Sequence, residues 1–127
     1  MGNHADLELT KFELAVMEHM LNGDEPNLSV LRAQLVQATI CRTLTGVGFY
    51  VDFEVPDNCP KIAHASCHIG DVEAEIDGLV HGAGFVLFIA DGKITQLEAY
   101  SYDEPWPENF QEYALKYSGS SQRTLPF

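Results

Sequence analysis

Side chains able to do chemistry concentrate in a few short stretches. One is KITQLEAYSYDEPWP, residues 93–107. Read as a strand, it points Ile94, Gln96, Glu98, Tyr100 and Tyr102 one way, and Thr95, Leu97, Ala99 and Ser101 the other. A carboxylate aligned with two phenols can accept their hydrogen bonds or stabilise an approaching cation. Trp106 follows, fixed between Pro105 and Pro107, which restrict the backbone around it. Tyrosine and tryptophan are the types most enriched among binding anchors. The face is either a shallow recognition surface with Trp106 at its rim, or the cover of a second small core with Glu98 bonded to a loop backbone.

A second stretch, DVEAEID (71–77), alternates strictly. Val72, Ala74 and Ile76 turn inward; Asp71, Glu73, Glu75 and Asp77 form an outward row of carboxylates about 7 Å apart. Asp52 and Glu54 make a shorter row on their own strand. Such rows are a docking face for a basic protein surface or a cation, or else a solvated face that discourages aggregation. Glu98 with Glu73 or Glu75 would suit acid–base work only if the fold brings them together.

The third stretch, CPKIAHASCH (59–68), holds Cys59, His64, Cys67 and His68, all metal-ligand types. Its C-x4-H-x2-C-H spacing matches no common zinc pattern, and adjacent Cys67 and His68 diverge in most backbones. A loop with incidental histidines is expected, with no metal or cofactor, and His81 reads as structural. No nucleophile elbow, phosphate-binding loop or dinucleotide fingerprint is present; GVG and GAG read as strand-edge glycines. No catalytic residue is assigned.

The elements that must position these groups follow from periodicity. Residues 10–22 read as a helix opened by the Thr10/Glu13 capping box, with Phe12, Val16, Met17, Met20 and Leu21 on its buried side. A second short helix is expected near Leu28–Leu35, capped by Ser29. Strands follow at 38–44, 47–55, 71–77, 84–90 and 93–102, with YALKY (113–117) as a candidate last strand. GFVLFIA (84–90) is apolar on both faces, which suits a central strand covered on both sides. Asp91-Gly92 reads as a type I′ hairpin turn. Residues 56–70 are expected as a loop, and 118–127 as a polar tail able to dock. The order argues a single α+β domain over residues 1–127, with an N-terminal helix and a short second helix packed on an antiparallel sheet of about five strands.

Composition narrows the partners. The chain has 127 residues, 46% of them hydrophobic, enough for one core. Its net charge of −12, from 19 acidic and 7 basic residues, repels phosphate backbones and disfavours nucleic acid. It favours fast association with basic partners. No apolar run reaches the ~20 residues of a membrane span. The N-terminus lacks a secretory signal, and Asp6 breaks the myristoylation pattern that Gly2 would begin. Cys41, Cys59 and Cys67 show no paired framework, which points to the reducing cytoplasm.

The segments TGVGFYVDFEVP (45–56) and DVEAEIDGLVHGAGFVLFIADGKITQLEAYSYDEPWP (71–107) together resemble a group of small bacterial proteins of unknown function. The shared pattern is a glycine-led strand, an apolar strand, a D-G turn and a strand ending L-E-x-Y-x-Y-x-E-P-x-P. Glu98, Tyr100, Tyr102, Glu104 and Pro105 are the positions it carries over. Length, charge and the L-E-x-Y segment are also similar to those of immunity proteins of bacterial toxin systems. The expectation is a non-enzymatic binding module for another protein, with an immunity or inhibitor role towards a basic partner as one form. Its binding residues would be Glu98, Tyr100, Tyr102, Trp106, Glu73 and Glu75; a homodimer stays open. The alternative is a small-ligand or metal-binding domain using Glu98, His64 and His68 around a cleft.

Overall fold

The computed structural model describes residues 8–119 and 123–127. The targeting-signal reading of Gly2 and Asp6, and part of the expected tail, lie outside these residues. Helix α1 spans Lys11–Met20. The Thr10 hydroxyl accepts the Glu13 N–H at 3.1 Å, and the Glu13 carboxylate accepts the Thr10 N–H at 2.9 Å, so the expected capping box forms. Val16, Met17, Met20 and Leu21 are fully buried, as the four-residue recurrence requires. Helix α2 spans Pro26–Gln37 and starts earlier than expected. Pro26 opens it, because its fixed φ suits a first helical position where no N–H is needed. Glu25 is its cap, accepting the Asn27 N–H at 2.9 Å, and Ser29 is not.

The strands are β1 Thr39–Leu44, β2 Gly48–Glu54, β3 Ser66–Ile76, β4 Ala83–Ala90, β5 Lys93–Ser101 and β6 Tyr113–Tyr117. They form one antiparallel sheet in the order β1-β2-β5-β4-β3-β6. The expected α+β architecture therefore holds, with β6 as a sixth strand on the far edge. Positive φ at Asp91 (54°) and Gly92 (76°) gives the type I′ turn between β4 and β5.

Bulges alter the expected faces in two places. Between Ile69 and Val72 the β3–β4 register shifts, and both residues are buried. Gly70 and Asp71 absorb the extra step. Asp71 thereby leaves the outward carboxylate row, and both its oxygens receive Arg123 at 2.8 Å. Strand β3 also starts at Ser66, so Cys67 and His68 lie in a strand and not in the loop expected over 56–70. Opposite Phe88 and Ile89, Gln96 and Ile94 are the partners, which leaves Thr95 as the extra residue. Ile94 is consequently 1% exposed and belongs to the core, not to the Glu98 face.

Both helices contact the sheet on one face, and the core lies there: Val51, Val72, Phe85, Leu87 and Leu97 meet α1 and α2. Strand β4 is central in the sheet but is covered by helices on one face only. Phe88 on its other face is 37% exposed, so the double covering expected for 84–90 is corrected. Its apolar outer side is shaded by side chains of neighbouring strands instead of a second layer.

Candidate binding face

The face away from the helices positions most of the chemistry-bearing residues. Strand registers set its rows. Tyr50 on β2 stands opposite Glu98 on β5, which stands opposite Val86 on β4. The adjacent row runs Gly48, Tyr100, Gly84, Glu73 and Lys116 across β2, β5, β4, β3 and β6. Glu98 and Glu73 are thus two strands and one two-residue step apart, or about 12 Å between Cα atoms. That separation does not make a directly hydrogen-bonded carboxylate pair.

Tyr100 sits between them, flanked in its row by glycines. A Cβ on Gly84 would lie 2.5 Å from the Tyr100 Cζ and Oη, so the ring lies across the glycine. A Cβ on Gly48 would lie 1.8 Å from the Ala99 carbonyl oxygen. Gly48 opens β2 and Gly84 is the second residue of β4, so both lie at strand ends as expected, and there the missing Cβ lets aromatic ring and backbone approach. Tyr102 packs edge-on against Tyr100, with ring centroids 5.6 Å apart. Burial pushes the Tyr100 phenol above its usual range, reinforced by Tyr102 and then by the charges of Glu98 and Glu73.

Among the described residues, neither Glu73 nor Glu98 has a hydrogen-bond or ion-pair partner. Asp52 receives the Gln96 amide at 2.8 Å, and Glu75 pairs loosely with Lys116 at 3.7 Å. Beside Tyr102 a groove of about 800 Å³ is lined by Glu73, Glu75, Asp77, Glu112, Tyr102 and Lys116 among others. The sheet thus brings Glu73, Glu75, Glu98, Tyr100 and Tyr102 to one open face. Their chemistry suits hydrogen-bond donors and cations: unpaired carboxylates beside electron-rich rings.

Trp106 is not on that face. Strand β5 ends at Ser101, whose hydroxyl donates to the Glu104 carbonyl, and Asp103 turns the chain with φ 66°. The tryptophan swings to the helix side. Its backbone N–H reaches the Gly46 carbonyl at 2.8 Å. Its ring stands edge-on to Phe49 at 5.6 Å and to Phe110 at 6.4 Å. Phe110 in turn meets Phe12 of α1 at 5.0 Å. The expected rim anchor is a structural plug at the sheet end, held by the same prolines that fix its backbone.

Glu104 has a distinct structural role. Its two oxygens accept the N–H groups of Val80 (2.8 Å) and His81 (2.9 Å). These hydrogen bonds hold its carboxyl below the usual range. Glu104 thereby ties the β3–β4 turn to the β5–β6 connection, beside the groove.

The histidines go to separate places. His64 faces Phe127, with ring centroids 5.7 Å apart, and His68 faces Phe88 at 6.3 Å. Among the described residues no three His, Cys, Asp or Glu side chains gather where they could hold a metal ion. Cys41, Cys59 and Cys67 are free thiols, and burial pushes the Cys67 thiol upward. No described helix is long and apolar enough to cross a membrane.

Comparison of the chain with known protein families, with curated proteins and with solved structures found no match.

Proposed function

We propose that the chain is a non-enzymatic binding module for another protein, and that the partner docks on the open sheet face around Tyr100. The observation that carries this reading is the pair of carboxylates, Glu73 and Glu98, that flank Tyr100 without partners among the described residues. Both are half-buried beside aromatic rings, where a charge-assisted hydrogen bond from a cationic group is stronger than at a fully exposed site. Tyr50, Tyr100, Tyr102, Val86 and Phe88 supply aromatic and apolar area between them, the composition of an interface centre. The net charge of −12 steers a basic partner towards the molecule. Neutralising a basic toxin, as immunity proteins do, is one specific form of this function.

The test is capture of partners from the source cells by tagged protein, washed at low and at high salt. A basic protein released by high salt, and lost when Glu73→Gln and Glu98→Gln are combined, is the expected result. A partner bound equally well by that double variant at both salts would show that the tyrosine–carboxylate face is not the site.

A further inference from the structure

We propose that the free edge of β6 pairs with β6 of a second copy of this chain, joining two sheets into one. The Asp77 N–H reaches the Glu112 carbonyl at 3.1 Å, and the Ser118 N–H reaches the Asp71 carbonyl at 2.8 Å. These bonds fix which residues of the edge strand turn inward. Glu112, Ala114, Lys116 and Ser118 exchange backbone hydrogen bonds with β3. Tyr113, Leu115 and Tyr117 therefore turn their N–H and C=O groups away from the sheet. Among the described residues nothing bonds to those groups.

An antiparallel pair centred on Leu115 uses all of them. Leu115 then faces the second copy's Leu115, and Tyr113 faces its Tyr117, each pair exchanging both backbone hydrogen bonds. These side chains lie on the helix side, where Tyr113 is 38% exposed. On the other face, Ala114 comes opposite the second copy's Lys116. Ala114 stands beside Glu75 in its own sheet. Alanine is short enough for that lysine to extend over it to Glu75. Within one chain the Lys116–Glu75 contact is loose, at 3.7 Å with both side chains more than half exposed. A lysine on an edge strand ordinarily discourages pairing. Here its register partner is small with a carboxylate behind it, so the charge selects this register. The acidic groove, which reaches Tyr113, Ala114 and Lys116, then gains a lysine from the second copy.

The other edge does not offer this. The Thr45 N–H to Gly48 carbonyl bond, 3.1 Å, leaves Ile40, Arg42 and Leu44 facing outward on β1. A symmetric pair there centres on Arg42, whose guanidinium is already taken up by the Glu13 carboxylate and the Glu8 carbonyl, so no charge contact of the Lys116–Glu75 kind selects that register.

Sedimentation velocity on the full chain, across a wide concentration range at low and high salt, tests the proposal. The expected result is a monomer–dimer equilibrium that strengthens with salt, because screening relieves repulsion between two chains of −12. Leu115→Pro removes an N–H that the single chain does not use, so it leaves the β3–β6 ladder intact and weakens dimerisation about tenfold or more. Ala114→Lys, at an exposed position, sets lysine against lysine and weakens it too, whether or not the proline variant folds. Lys116→Glu weakens the dimer and adding Glu75→Lys to the same chain restores it. A monomer at every concentration and both salts, or a dimer indifferent to Ala114→Lys and to the charge exchange, overturns the proposal.

Discussion

On the helix side of the sheet, buried polar side chains are matched. Glu13, 3% exposed, closes the α1 cap and receives the Arg42 guanidinium at 2.6 Å. Gln34, fully buried, donates its amide to the carbonyls of Pro60 and Gly92 at 2.9 Å and accepts the Ile94 N–H at 2.9 Å. On the open side, Glu73 and Glu98 stand unpaired among the described residues beside two tyrosines. Both sides carry carboxylates and amides at strand or helix positions. What separates them is whether water is excluded. Where it is, an unmet polar group is costly, and among the described residues His64 Nδ1 is the one buried side-chain atom that bears that cost; where it is not, the group stays free for a visitor.

The sharpest way to break this contrast is to damage the matched side. Glu13→Ala leaves Arg42 without its buried carboxylate and opens the α1 cap, so denaturant unfolding should show a loss of about 3–5 kcal/mol. A loss below about 1 kcal/mol would mean that this pair is not held away from water. Gln34→Leu keeps the volume but strands the Ile94 N–H and its carbonyl partners, and should cost about 2–3 kcal/mol in the same measurement. Gly84→Ala acts on the open side. The added Cβ forces the Tyr100 ring off its glycine, at about 1–2 kcal/mol. It should also disturb partner capture more than any core variant of equal stability; unchanged capture would remove Tyr100's placement from the argument. Glu73→Gln with Glu98→Gln should shift stability by no more than about 0.5 kcal/mol while abolishing capture, since these groups hold nothing within the chain.

The smallest effect is on pH. The Tyr100 phenol titrates higher in the folded chain than in the unfolded one, where the value is about 10. Its contribution to stability is intact below that value and is lost as pH rises through the folded one. Tyr100→Phe should therefore flatten the alkaline fall in stability measured by circular dichroism. An unchanged alkaline profile would place the phenol in ordinary solvent. Glu104 has the opposite sign. Held low by the Val80 and His81 N–H groups, it supports the fold above the ordinary glutamate range and ceases to as pH falls through its own value.

Local pattern made much of this legible. The T-x-x-E cap, the Asp91-Gly92 turn and the alternation in VDFEV each depend on neighbours a few residues away, and each appears as expected. The Glu98/Tyr100/Tyr102 alignment was equally visible. What alternation could not reveal were the bulges, because one extra residue is tolerated only against a particular partner strand. That is why Ile94 and Asp71 changed sides. The role of Gly84 depends on Tyr100 across a strand boundary, and pairing is not written in either strand alone. Trp106 departs from its expected place for a similar reason: prolines mark where the strand ends, not which side of the sheet the chain then takes.

Arg123 bonds the Met20 and Asn22 carbonyls at 3.0 and 2.9 Å and both oxygens of Asp71. The first helix is thus finished by a residue made about a hundred positions later, at the slow, high-separation end of the contact range. While the chain emerges from the ribosome, the last turn of α1 and the β3 bulge wait with their oxygens facing water. The N-terminal helix can form early, but this clasp cannot close until Arg123 has been made. A chain stalled before Arg123 would carry every strand of the sheet and still lack the clasp that locks it to the helix.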